Sequence, residues 1–124
     1  MGDGDKGLTM SAETEQGAIV VRLSGQLGWE TVAGWRSWLE AQAGTEPRPP
    51  VLVDLSALTF LDSSGISSLV AAYQQVRRQG NAMAFLRPNA LVMRWLRITG
   101  LHAHLPIFDS VQEALPAVLP PPED

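Results

Sequence analysis

The sequence predicts an α/β domain in which a mixed sheet of about five strands packs with about four helices. Strand-like and helix-like segments alternate along the chain in the order β-β-α-β-α-β-α-β-α, and such alternation calls for parallel strands joined by right-handed crossovers. Only a short turn signal separates the first two strands, so they form an antiparallel hairpin at one edge of the sheet. The apolar run Val51-Leu52-Val53 is typical of a strand that is covered on both faces.

The hairpin is predicted from two alternating segments, 8–13 and 18–23, on either side of the turn signal Glu15-Gln16-Gly17. We expect the polar, glycine-rich segment 24–28 to be a loop. A helix is predicted over 30–43, where the apolar residues recur at helical spacing and Gly44 supplies a stop. Its predicted buried residues are Val32, Trp35 or Trp38, and Leu39.

The buried strand begins at Val51, after a stiff proline-rich connector over 46–50. It leads into Ser63-Ser64-Gly65, and we expect this stretch to supply the N-cap of the second helix. The second helix is predicted to end near Gln79, with Gly80 as the residue that follows its last turn. Its apolar residues are Ile66, Leu69, Val70, Tyr73 and Val76.

The remaining elements are two short strands, over 82–86 and 105–108, and two helices. The third helix begins at Arg87-Pro88-Asn89 and ends at Gly100, with an apolar face of Leu91 or Val92, Trp95 and Leu96. Ser110 and Glu113 have the spacing of a capping box and open a last helix to about residue 119. These boundaries predict one domain over 8–117, with flexible ends at 1–7 and 118–124.

Composition limits the class of protein. A chain of 124 residues with 45% hydrophobic and 18% charged residues fits one globular domain. It has no cysteine and no apolar run approaching the ~20 residues that cross a bilayer. The net charge of −4 gives no reason to expect direct binding of nucleic acid. We therefore expect a cytoplasmic protein without a transmembrane segment.

The charges are unevenly distributed. No Asp or Glu occurs from residue 63 to residue 108, and five arginines do. We expect one electropositive lobe, which is either a solvated helix surface or a contact for an acidic protein or an anionic lipid. The five arginines are Arg77, Arg78, Arg87, Arg94 and Arg97.

The sequence predicts no catalytic residue, no metal site and no cofactor. A nucleophilic serine needs a positioned base, and the only histidines, His102 and His104, follow the third helix in the sequence. No phosphate-binding loop with the G-x-x-x-x-G-K-[ST] pattern is present. Asp54, within a strand, and Asp62, at its exit, do not form an acid–base pair by position.

The junction between the buried strand and the second helix is the strongest functional signal. The first N–H groups of a helix lack intrahelical acceptors and lie at the positive end of its dipole, so they accept an anion. A phosphoserine at this position is such an anion. Asp62 is expected to order the turn or to contact a partner, although spacing alone is equally consistent with a simple helix cap. Trp29, in the predicted loop, is either a packing group or an exposed partner contact.

The stretch Asp54-Leu55-Ser56-Ala57-Leu58-Thr59-Phe60-Leu61-Asp62-Ser63-Ser64-Gly65 resembles the STAS family, specifically the bacterial anti-sigma-factor antagonists. Later segments agree with the family pattern, and the resemblance covers about residues 8–117. It is most specific at the serine motif. The agreeing segments are Gly80 with Met83, Val92-Met93-Arg94-Trp95-Leu96, Thr99-Gly100-Leu101 and Glu113-Ala114-Leu115.

The resemblance implies that Ser63 is the phosphoacceptor of a partner serine kinase that is also the anti-sigma factor. The unmodified antagonist sequesters this kinase, and the phosphorylated form releases it. Ser64 is then the neighbouring cap. Many antagonists carry Gly-Glu-Leu-Asp after the second strand, where this chain has Gly25-Gln26-Leu27-Gly28. The implied partner-binding residues are Gln26, Gly28, Trp29, Asp62, Ser64, Gly65 and Ile66.

Two other functions remain open at this point. The chain is alternatively a constitutive STAS subunit of a lipid-transport or signalling complex, in which Ser63 is only part of a helix cap. The replacement of two acidic residues by Gln26 and Gly28 favours this alternative. A small-molecule-binding or enzymatic domain is a third reading, which the lack of a catalytic base disfavours.

Overall fold

A computed structural model of the chain describes residues 7–42 and 48–119. These residues form a five-stranded sheet with four α-helices and one short 3₁₀ helix, in the order that the sequence predicts. The strands are β1 (Leu8–Glu15), β2 (Ala18–Leu27), β3 (Val51–Leu61), β4 (Met83–Leu86) and β5 (Ile107–Phe108). The helices are α1 (Val32–Gln42), α2 (Ser63–Arg78), α3 (Ala90–Ile98) and α4 (Val111–Val118), with the 3₁₀ helix at Leu101–Ala103.

The strands lie in the sheet in the same order as in the sequence, β1-β2-β3-β4-β5. β1 pairs with β2 in the antiparallel sense, and the other three pairings are parallel. The crossovers that join β2 to β3, β3 to β4 and β4 to β5 contain α1, α2 and α3 respectively. The predicted mixed sheet with an amino-terminal hairpin is confirmed.

Each face of the sheet has its own apolar core. On one face, α1, α2 and α3 pack against β2 and β3 through residues such as Trp35, Leu69 and Leu96. On the other face, α4 is the one helix of the described residues, and it packs through Ala114, Leu115 and Val118 against Val20, Leu52, Ala84 and Leu86. Successive residues of β3, such as Leu52 and Val53, therefore enter opposite cores, which explains its uninterrupted apolar sequence.

The prediction that β2 ends at residue 23 was wrong, because the strand continues to Leu27. Ser24, Gly25, Gln26 and Leu27 all pair with β3 across two register shifts. Gly25 has a φ of 107°, and a Cβ there would meet the carbonyl oxygen of Gly7. The polar residues and the glycine that suggested a loop thus belong to an irregular strand, where bulges favour glycine.

The first helix begins at Val32 and not at residue 30, because Trp29, Glu30 and Thr31 form a turn before it. The N–H of Val32 donates to the carbonyl oxygen of Gly28 at 3.0 Å and closes this turn. Trp35 and Leu39 are buried, and Val32 and Trp38 pack at the edge of the core. The predicted stop at Gly44, residues 46 and 47 of the predicted connector, and residues 1–6 and 120–124 of the two predicted flexible ends lie outside the described residues.

Candidate functional site

The first turn of α2 places Ser63 on the surface, immediately after β3. Ser63 is the first residue of the helix and is exposed, and Ser64 is half-buried. The predicted position of the two serines at a helix start is confirmed. Their predicted role as the N-cap is wrong, because the N-cap is Asp62. The Asp62 Oδ1 atom accepts from the N–H of Gly65 at 2.9 Å, and this bond leaves the Ser63 hydroxyl outside the cap.

Asp62 also binds the turn before α1. Its other carboxylate oxygen, Oδ2, accepts from the backbone N–H of Trp29 at 3.2 Å. One half-buried side chain thereby joins two segments that are 33 residues apart in the sequence. The turn at Trp29 and the start of α2 form one surface as a result.

Gly65 lets α2 approach β2 closely. A Cβ at Gly65 would meet the carbonyl oxygen of Leu27 and would lie 2.7 Å from the Leu61 side chain. Gly65 is buried, and Ile66 is 6% exposed within the larger core. These two predicted site residues therefore hold the helix against the sheet, beneath the surface that carries Ser63.

The turn between β2 and α1 is ordered by Thr31. Its Oγ1 atom accepts from the N–H of Gly28 at 3.0 Å and lies 2.9 Å from the carbonyl oxygen of Gln26. Gly28 is buried, and a Cβ there would lie 2.9 Å from Asp62 Oδ2 and 3.0 Å from the Phe60 ring. The lack of a side chain at Gly28 thus leaves room for Asp62 and Phe60, and its backbone N–H binds Thr31. The Gln26 side chain is exposed.

Two large apolar side chains are exposed at this junction. Trp29 is 71% exposed and Phe60, which lies against Gly28, is 46% exposed. Exposed aromatic residues beside polar groups are typical of protein interfaces. Phe60 was not singled out from the sequence, because it lies in an apolar segment of β3. Its neighbours Leu58 and Leu61 are buried, so only the fold distinguishes it from them.

The sheet behind the junction carries a buried carboxylate, Asp54, between two arginines. Asp54 Oδ2 lies 2.6 Å from Arg87 and 3.4 Å from Arg22. Oδ1 accepts from the N–H of Ser56 at 2.9 Å and from its hydroxyl at 2.7 Å. Burial by itself raises the pKa of Asp54, but the hydrogen bonds from Arg87 and Ser56 outweigh it and hold the pKa below its ordinary value.

One of the five arginines of the predicted electropositive lobe, Arg87, is paired with the Asp54 carboxylate. The other four, Arg77, Arg78, Arg94 and Arg97, are all exposed.

The two histidines are exposed at the 3₁₀ helix that follows α3. Among the described residues, no group of three or more His, Asp or Glu side chains could hold a metal ion. Within the same residues, no helix is long and apolar enough to cross a membrane.

The comparisons with known proteins agree with this fold and this motif. The profile of the STAS domain matches residues 9–114. The chain is 31% identical over 108 residues to an anti-sigma F factor antagonist from Paenibacillus polymyxa, and this match covers 87% of the chain and 92% of the relative. The crystal structure of an anti-sigma factor antagonist from Mycobacterium paratuberculosis superposes with a TM-score of 0.78 and 26% identity, covering 92% of this chain and 96% of that one.

A third similar structure is that of the Bacillus cell fate determinant SpoIIAA in its phosphorylated form. Its TM-score is 0.65 at 18% identity, and the match covers 88% of this chain and 98% of that one. At this level of identity the likeness concerns the fold alone. The family assignment confirms the prediction of a regulatory binding protein that is not an enzyme. The chain belongs to the STAS domain family and, within it, to the anti-sigma factor antagonists.

Proposed function

We propose that this protein sequesters an anti-sigma factor through the surface at the start of α2, and that phosphorylation of Ser63 releases the partner. The proposed surface comprises Gln26, Trp29, Asp62, Ser63 and Ser64, supported from beneath by Gly28, Gly65 and Ile66. The partner is a cytoplasmic anti-sigma factor that is also a serine kinase. It transfers the γ-phosphoryl group of ATP to the Ser63 oxygen, and ADP and the hydroxyl proton leave.

The observation that carries the proposal is the position of the Ser63 hydroxyl. Ser63 is exposed at the first position of α2, and Asp62, not Ser63, caps the helix. The hydroxyl can therefore be modified without loss of the cap. The N–H groups of Ser63 and Ser64 lie at positions that have no intrahelical acceptor, so they favour an anion at this end of the helix.

The energies favour a switch in binding over a change of fold. A phosphate at the helix start gains at most about 1–2 kcal/mol from the dipole, and the adjacent Asp62 carboxylate opposes part of this gain. Inside a desolvated interface, the same dianion without a partner cation costs several kcal/mol. A loss of about 3 kcal/mol already weakens a complex about a hundredfold. The modification therefore acts mainly on the complex.

Two named proteins similar to this chain support parts of the proposal. SpoIIAA has been solved in a phosphorylated form. The P. polymyxa relative is named as an antagonist of an anti-sigma factor. The first structure supports phosphorylation as a modification of this fold, and the second name supports an anti-sigma factor as the class of partner.

Incubation with the serine kinases of the host and ATP, followed by mass spectrometry of peptides, tests the proposal. Phosphate on Ser63 is the expected result. The Ser63→Ala variant should remain unlabelled, and Ser64→Ala and Ser67→Ala should be labelled like the unmodified chain. Label on Ser64 or Ser67 in place of Ser63 would contradict the proposed site.

One observation favours a second function, that of a constitutive subunit of a lipid-transport or signalling complex. Gln26 and Gly28 occupy the positions where many antagonists carry acidic residues, so a kinase that reads those carboxylates would not find them here. Stable co-purification with membrane transporter subunits, without label on Ser63, would support this second function. Release of a bound anti-sigma factor on labelling would exclude it.

A further inference from the structure

A cavity of about 380 Å³ lies between α1 and α2, and its lining on α2 begins at Ser68, beyond the first turn that carries Ser63. Its walls come from Trp35 and Leu39 of α1 and from Ala72 and Val76 of α2. Trp35 and Val76 are almost fully buried and form the apolar floor. This volume lies in the ordinary range of small-molecule sites, about 300–1,000 Å³, and such sites are mostly apolar with a few polar groups.

The rim of the cavity is positively charged. Among the residues that the structure describes, it is lined by three arginines, Arg36, Arg48 and Arg78, and by one glutamate, Glu40. Arg36 is exposed on α1 and forms no ion pair with any residue that the structure describes. Arg78, in the last turn of α2, donates to the Gln75 side chain at 2.9 Å and keeps further N–H donors. Guanidinium groups on the two facing helices can therefore meet one anionic group between them.

We propose that this cavity binds a small amphipathic anion, with its apolar body against Trp35, Leu39 and Val76 and its anionic group at Arg36 and Arg78. The apolar floor selects against small inorganic anions, because these offer nothing to bury. The guanidinium groups of Arg36 and Arg78 at the rim select against cations of the same shape. The site is separate from the Ser63 surface and does not depend on the function proposed for that surface.

Decanoate, at concentrations below micelle formation, is a suitable probe with the whole chain. Isothermal titration calorimetry should show saturable binding of one decanoate per chain. Decanol should bind about tenfold more weakly, since a charge-assisted hydrogen bond to Arg contributes about that factor. Decyltrimethylammonium should bind more weakly still. Absence of saturable decanoate binding, or equal affinity for the cation, would overturn the proposal.

Two variants locate the binding. The double variant Arg36→Gln/Arg78→Gln changes only exposed side chains and should lower the affinity for decanoate at least about tenfold. Its matched control is Arg94→Gln/Arg97→Gln, which removes the same charge from exposed positions on α3 and should leave the affinity unchanged. Ala72→Phe should abolish binding by filling the cavity, with its fold checked by circular dichroism. An equal loss in the α3 control would show that the attraction is only to overall charge and would refute the site.

Discussion

The Asp62 carboxylate accepts the backbone N–H of Trp29 at 3.2 Å with one oxygen and the N–H of Gly65 at 2.9 Å with the other. The residue that caps α2 thus also fixes the turn before α1. A carboxylate that accepts two backbone N–H groups restrains both chain segments, so the exposed residues on either side keep a fixed relation to each other. This relation gives the proposed partner surface its shape before any partner is bound.

Asp62→Ala should lower the free energy of unfolding by about 1–2 kcal/mol, because it removes the N-cap and the tether to Trp29. Chemical denaturation measures the loss, and hydrogen exchange at the amides of Trp29 and Gly65 should accelerate. The control is Ser67→Ala, an exposed change on the same helix, with an expected effect within about 0.5 kcal/mol. Unchanged exchange at Trp29 in Asp62→Ala would contradict the tether.

Gly65→Ala and Gly34→Ala are a matched pair of glycine substitutions in helices, and they should act in opposite directions. A Cβ at Gly65 would meet the backbone of Leu27, whereas a Cβ at Gly34 has nothing within 4 Å. Gly65→Ala should therefore destabilise the protein by more than about 1 kcal/mol. Gly34→Ala should stabilise it by about 0.5–1 kcal/mol through helix propensity. Thermal denaturation of both variants checks the sign, and a stabilising Gly65→Ala would show that α2 does not lie this close to β2.

Asp54→Asn should lower the free energy of unfolding by about 2–3 kcal/mol near neutral pH. The pKa of Asp54 is lower in the folded chain than its ordinary value of 3.8. Its ionisation therefore stabilises the fold fully above that value, and the contribution disappears as the pH falls through the folded pKa. Urea denaturation over a pH series should show the curves of the variant and the unmodified chain converging in acid. A constant gap down to about pH 2 would disprove the linkage.

Ser63→Asp should weaken binding of the anti-sigma factor about a hundredfold and change the melting temperature by no more than about two degrees. The physical reason is that an anion at the helix start is tolerated by the fold but not by a desolvated interface. Calorimetry measures both quantities. Ser67→Asp places the same charge one turn further along the exposed side of α2 and should leave binding closer to that of the unmodified chain. A large loss of stability with intact binding would reverse this account.

Trp29→Ala should weaken the same complex by about 2 kcal/mol, or roughly thirtyfold, because exposed aromatic residues often dominate interface energies. The stability of the free protein should stay within about 0.5 kcal/mol, since Trp29 is 71% exposed. Ile98→Ala is the matched control, because Ile98 is 72% exposed and lies on α3, away from the serine motif. Equal losses for the two variants would mean that the partner binds elsewhere.

The alternation of strands and helices was readable from the sequence because hydrophobic period and turn residues agreed with each other at almost every element. Ser24 to Leu27 were the exception. Their polar residues and glycine follow the local pattern of a loop. Pairing of all four residues with β3, and of Ser24 and Gly25 also with β1, makes them a strand. Such tertiary pairing overrides local preference and leaves no signal within the segment itself.

The serine motif was located from the sequence, but the residue of the motif that caps α2 was not. Asp and Ser are both good N-caps, so residue type alone could not distinguish between Asp62, Ser63 and Ser64. The backbone conformation identifies Asp62 as the N-cap, because its φ of −121° and ψ of −175° are extended, as an N-cap requires. Phe60 and the contact between Asp62 and Trp29 depend on distant segments meeting in space, which no local pattern encodes.

The order β1-β2-β3-β4-β5 has a consequence for how the chain reaches its native state. Every strand pairs with the strand that precedes it, so each pairing needs only the closure of one hairpin or one crossover. No strand has to pair with one further away in the sequence, so this order keeps the loop-closure entropy of each parallel pairing as small as its crossover allows. During synthesis, the strand with which each new strand pairs has already been made. The sheet can therefore grow outward from the hairpin while the ribosome is still adding the carboxyl-terminal half.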